Sequence, residues 1–175
     1  MTLIKKWFER KFQTDTLEGT FLPILERLEG TPLRLKTKLE SIPKEFLTPK
    51  PDGTWSILEN AGHLNDLEPL WEGRIQDILQ GQEELRPTDL TNAKTSESDH
   101  NAKQVAEIVE AFTTSRQRLV ALCKANADHA ETLSALHPRL KQPMRIIDLA
   151  FFVAEHDDHH LAIIAQLAEN LGEKG

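Results

Sequence analysis

The stretch FVAEHDDHHLAIIAQ, residues 152–166, sets three histidines within five positions. It lies inside a longer apolar stripe. Ile146, Leu149, Val153, His156, His160, Ile163 and Leu167 are spaced 3, 4, 3, 4, 3, 4, the repeat of a helix that buries one side. Two consecutive positions of this seam are histidine. Residues four apart stack one turn above the other, so the His156 and His160 imidazoles point the same way. His159 lies about 60° off that line at the helical turn per residue, which predicts an edge or solvent position. Asp158 falls nearly opposite.

Three further segments carry the same period. The first, from about Leu17 to Ile42, aligns Phe21, Leu25, Leu28, Leu35 and Leu39. Gly30-Thr31-Pro32 inside it predicts a bend or restart, with Thr31 as cap and Pro32 at the first position. The second follows the turn-like PKPDGTW: Ser56 and Glu59 have capping-box spacing, the stripe Ile57, Leu64, Leu67, Trp71, Ile75, Ile78 comes next, and Gly81 ends it. The third runs from about Ala102 to Ala127 on Val105, Ile108, Phe112, Leu119 and Leu122, and the fourth from after Pro143 to about Leu171. No alternating strand pattern interrupts them. Four single-stripe helices hide their stripes against one another, which predicts an all-α, antiparallel four-helix bundle and one domain over residues 1–175. RPTDLTNAKTSESDHN, residues 86–101, reads as a loop over one end of the bundle. The first 14 residues, with Trp7, Phe8 and Phe12, read as a short helix or arm packing on the bundle or on a partner chain.

Composition excludes several classes. A net charge of −7 argues against a nucleic-acid surface, which needs clustered Lys and Arg. No apolar run reaches the roughly 18 residues of a membrane span, and MTLIKKWFERKFQ lacks a signal-peptide pattern. The single cysteine, Cys123, forms no intrachain disulfide. Lying in the apolar run LVALCKA, it reads as a buried structural thiol, and the expected setting is cytoplasmic.

Two adjacent buried imidazoles left unpartnered cost on the order of 1–3 kcal/mol each. Waters or carboxylates on facing helices could satisfy them, or a divalent metal bound through neutral ring nitrogens. A third ligand is available in WSILENAGHLNDLEPLW. There His63 stands at the edge of the second stripe, one turn from Glu59 and from Asp66. If the second helix runs beside the fourth, His63 completes a three-histidine site. The capping box already employs Glu59. Asp66, Glu155 and Asp157 are candidates to accept the second ring N–H of a ligand, or else lie on solvated helix faces. His100 and His129, in polar surroundings, carry no expected role. His137, in the loop HPRL, reads as packing on Pro138 or covering the mouth of the site.

WSILENAGHL, HPRLKQPM and AEHDDHHLA, with ERLEGTPLRL in the first helix, resemble the DinB-like (damage-inducible) superfamily of four-helix-bundle proteins across nearly the whole chain. The resemblance implies that His63, His156 and His160 hold one divalent ion, often nickel or zinc, in a homodimeric, cytoplasmic bacterial protein. Characterised relatives include thiol-dependent S-transferases and a mycothiol-dependent isomerase. The expected function is therefore a metal-dependent enzyme of thiol-transferase or hydrolase type. It would act on a small molecule, with a low-molecular-weight thiol as a candidate co-substrate, and an outer-shell carboxylate would serve as base. The alternative is a non-catalytic stress-response or binding protein with a structural metal; a third reading is a helical interaction module whose histidines form a pH-sensitive core.

Overall fold

The computed structural model describes residues 4–12 and 15–173; of the N-terminal arm, residues 1–3 and 13–14 lie outside that part. Four long helices, α1 (Phe21–Ser41), α2 (Ile57–Leu79), α4 (Val105–Ala125) and α5 (Ile146–Gly172), build the expected bundle, with a five-residue α3 (Ala93–Glu97) between α2 and α4. Among the described residues no helix is long and apolar enough to cross a membrane.

Each of α1 and α2 packs mainly against α4 and α5, so α1 faces α2, and α4 faces α5, across a diagonal, while α2 and α4 are neighbours. The contacts fix direction. Thr16 meets Asp148, Arg27 meets Glu155 and Asp158, and Arg34 meets Asp158, so α1 and α5 run parallel. Asn60 meets His160 and Trp71 meets Phe152, so α2 and α5 are antiparallel. Asn65–Ser115 and Glu72–Arg118 make α2 and α4 parallel. Two helices point up and two down, in the order up, down, down, up.

The Ser56–Glu59 capping box forms as the sequence predicts: the Glu59 N–H donates to Ser56 Oγ at 3.1 Å, and the Ser56 N–H donates to Glu59 Oε2 at 2.9 Å. The restart expected at Gly30-Thr31-Pro32 does not occur; α1 is continuous through Pro32. Pro32 has no N–H to give the Leu28 carbonyl four residues back. That carbonyl instead accepts from Arg116 Nη1 of α4 at 3.2 Å, while the Thr31 hydroxyl, rather than capping, donates to the Arg27 carbonyl at 3.1 Å. A donor from another helix makes the proline tolerable.

Arg116 does more. Its guanidinium, 1% exposed, donates to Glu68 of α2 (2.6 and 3.1 Å) and to Asp157 of α5 (2.5 and 3.0 Å). One cation thus ties α4 to the other three long helices. Burial pushes the Glu68 carboxyl up to about 7 against the attraction of Arg116. Asp157, expected beside a ligand ring, is instead committed to this ion cluster. The cluster and the three histidines form a polar layer between two apolar cores, one holding Leu25, Leu28, Trp71, Leu119 and Val153, the other Leu35, Leu58, Leu64, Phe112 and Ile164. Cys123 is buried in the first, and burial pushes its thiol up to about 12, the state of a structural residue.

The sequence pattern misses two short strands, β1 (Ser134–Leu136) and β2 (Pro143–Arg145), which pair antiparallel before α5; three residues are too few to alternate visibly. His137 staples their turn. Its Nδ1 accepts from the backbone N–H groups of Arg139 and Leu140, both at 3.2 Å, and its Nε2 faces Arg74 Nη1 at 3.1 Å. It is structural and no cover for the site.

Two outcomes are expected. Arg116→Met leaves two buried carboxylates uncompensated and lowers unfolding free energy by about 3–5 kcal/mol, whereas replacing Arg116, Glu68 and Asp157 together with apolar residues recovers most of the loss; urea titration reads both. Burial, with Arg74 and Arg139 nearby, lowers the His137 pKa to about 4, below its unfolded value of about 6.5. Its contribution is therefore complete above pH 6.5 and is lost as pH falls toward 4. The melting-temperature gap between wild type and His137→Asn should narrow on acidification from pH 7.5 to pH 5.

Candidate metal centre

His63 on α2 and His156 and His160 on α5 are brought together inside the polar layer. Their ring centroids are 5.3 Å (63–156), 4.8 Å (63–160) and 4.6 Å (156–160) apart, and one candidate ligand atom from each lies within 4.8 Å of the others. All three are buried. Tetrahedral ligands at 2.0–2.1 Å from an ion are about 3.4 Å apart, so modest inward rotation of the rings closes the site. Burial lowers the His63 pKa to about 4 and holds His156 and His160 well below the ordinary imidazole range. Neutral imidazole is the form that ligates a metal.

The supports of the three rings differ. Nδ1 of His160 sits 2.9 Å from Asn60 Oδ1, an acceptor, so this nitrogen carries the proton and Nε2 is free. Nδ1 of His63 sits 2.9 Å from Thr95 Oγ1, and the Thr95 hydroxyl donates to Asp66 Oδ2 at 2.9 Å. Nδ1 of His156 is buried with no hydrogen-bond partner among the described residues. A buried nitrogen without a partner, amid three neutral nitrogen donors, is a donor set that suits a divalent transition metal.

Of the carboxylates expected around the rings, only Asp66 takes part, and it does so through Thr95. Burial pushes Asp66 up, but hydrogen bonds and charge from His100, together with Thr95 and Lys94, hold it below the ordinary range. Glu155 instead binds Arg10 and Arg27, joining the N-terminal arm and α1 to α5. His100 is not idle: it is buried, and its Nε2 lies 2.7 Å from the same Asp66 oxygen. His159 is likewise buried, not at a solvent edge, because the arm folds over it; the Trp7 ring lies 5.5 Å from His159 and 5.0 Å from His156. His129 is exposed.

The rings open onto a cavity of about 340 Å³ walled by Trp7, Phe8, Trp55, Leu67, Trp71, Ile163 and His159, with Lys6, Asn92 and Gln166 among its polar members. All three tryptophans of the chain line it. No carboxylate of the described residues does. Asn60 was within reach of sequence reading, being a polar residue one turn before His63 in a buried stripe. Thr95 and His100 were not, since they come from a polar segment with no periodicity.

Comparison of structures gives a likeness to YfiT from Bacillus subtilis, described as a probable metal-dependent hydrolase with an unusual four-helix bundle topology. The TM-score is 0.76 at 23% identity, over 94% of this chain and 94% of that one; at that identity the likeness establishes the fold. A search of curated protein sequences gives no match. Residues 27–164 match the sequence model of the DinB superfamily. That span runs from α1 into α5 and contains all three converging histidines, and the chain belongs to the DinB superfamily.

Proposed function

We propose that this protein is a divalent-metal-dependent enzyme of hydrolase or thiol-transferase type, with His63, His156 and His160 as ligands and a small molecule as substrate. The observation that carries the reading is the buried convergence of three neutral imidazoles at the floor of an aromatic cavity. Three protein ligands leave a coordination position open, the pattern of catalytic rather than closed structural zinc sites. A divalent ion there, zinc or nickel, supplies Lewis acidity that lowers the pKa of a water or thiol at that position.

The residues of the chain do the rest. Asn60 and the Thr95–Asp66 pair orient two of the rings. Trp7, Trp55 and Trp71 exclude water and pack the apolar part of a substrate. With no carboxylate of the described residues on the wall, His159 is the candidate to accept a proton from a nucleophile, and Lys6 the charge available to an anionic group. The reading carries with it a single domain, a cytoplasmic setting that keeps thiols reduced, and a homodimer. Leu22 and Leu33, exposed and eleven residues apart on one face of α1, support such a pairing surface.

The test is metal removal. Protein purified without chelator should contain about one zinc or nickel per chain by elemental analysis, as three-ligand sites do, and His156→Ala should contain none. Chelator should lower the melting temperature of wild type but not of the variant, since an ion held at 100 times its Kd contributes about 2.7 kcal/mol. In the cobalt-substituted protein a small thiol should shift the visible spectrum; an unchanged spectrum identifies a closed structural site and a non-catalytic protein. Metal-free wild type that melts like His156→Ala in every condition would refute the reading.

A further inference from the structure

We infer that Thr95, Asp66 and His100 form a positioning relay that presets the tautomer of His63, so that its Nε2 faces the cavity before any ion arrives. The functional meaning of the relay rests on the metal reading above; its chemistry does not.

The proton assignment follows from elimination. Asp66 Oδ2 lies 2.9 Å from Thr95 Oγ1 and 2.7 Å from His100 Nε2. A carboxylate only accepts, and two acceptors at 2.9 Å would repel, so the single hydroxyl proton of Thr95 points to Asp66. Thr95 Oγ1 then has only lone pairs to offer His63 Nδ1, 2.9 Å away. His63 Nδ1 must therefore donate, and Nε2 is left bare. At the far end the His100 Nε2–H donates to the same Asp66 oxygen at 2.7 Å. The whole chain is buried as far as His100, at 2–7% exposure per residue, so water does not compete for these bonds.

The relay is built by a segment that supplies no ligand. Thr95 lies on α3, and His100 opens the 3-10 turn after it. Left-handed Asn92 (φ 52°) precedes α3 and left-handed Asp99 (φ 45°) precedes His100, a conformation Asn and Asp tolerate better than most residues. The His100 ring rests on α2 where Gly62 leaves room: a Cβ there would come within 2.4 Å of three ring atoms. Gly62 is thus a seat for His100, one residue before the ring that the relay controls. Such outer-sphere partners fix ring orientation and are worth roughly 10–100-fold in metal affinity.

The test is a long-range proton–nitrogen correlation spectrum of metal-free protein at neutral pH, which reads the His63 tautomer directly, alongside zinc affinity by competition. Wild type and Thr95→Ser should show one His63 tautomer, protonated on Nδ1. Thr95→Val, equal in size but without the hydroxyl, should lose that single tautomer and weaken zinc binding roughly 10–100-fold. Gly62→Ala, which unseats His100 without touching Thr95, should move both readouts the same way and serves should Thr95→Val fail to fold. A His63 protonated on Nε2 in wild type, or a Thr95→Val protein with its tautomer unchanged, overturns the relay. If the tautomers behave as stated but no variant binds zinc, the relay stands and the metal reading falls.

Discussion

One buried guanidinium organises this bundle. Arg116 has partners on three helices: the Leu28 carbonyl of α1, Glu68 of α2 and Asp157 of α5. The first is available only because Pro32 has no N–H to claim it. A cation this deep is held by satisfaction of its donors, and each donor fixes the axial position of a different helix. The consequence for the site is direct. Asp157 is the neighbour of His156, and Glu68 is five residues beyond His63, so the bonds that satisfy Arg116 also set the height at which α2 and α5 present their histidines.

The polar layer so formed is costly to the fold and useful to function. Apolar packing on either side would be stronger without it, since buried ion clusters add little net stability over well-packed hydrophobic replacements. What the layer provides is register. Two apolar cores alone would tolerate sliding of one helix past another, while a cluster of directed hydrogen bonds does not. The aromatic wall completes the arrangement, because Trp7 from the arm and Trp55 from the turn before α2 close over rings that helices alone would leave open to solvent.

The four stripes, the Ser56 capping box and the His156–His160 seam were legible because helical periodicity is a local property, and hydrophobic burial enforces it wherever the chain goes. His63 was legible as a candidate only through its position beside the second stripe. Arg116 and Glu68 occupy seam positions in α4 and α2, between Phe112 and Leu119 and between Leu64 and Trp71. The signal of a buried charge was therefore present, though nothing local names the partner. The diagonal placement of α1 and α2 and of α4 and α5, the Thr95–Asp66–His100 relay and the folding of Trp7 over His159 depend on contacts between residues far apart in the chain, which no periodicity encodes. Asp157 and Glu155 misled for the same reason: closeness to a histidine in sequence says little about which side of a helix a carboxylate serves. His159 misled in the opposite sense, buried by an arm from the other end of the chain.

On the proposed function, three imidazoles from two helices bind one ion while leaving part of its coordination shell to small molecules. X-ray absorption spectroscopy on the zinc- or nickel-loaded protein tests this most directly. The expected first shell holds three imidazole nitrogens, at about 2.0–2.1 Å for zinc, with its remainder filled by light oxygen scatterers that a thiol can replace. A first shell with fewer than three imidazoles, or one already closed by protein sulfur or carboxylate, would contradict it.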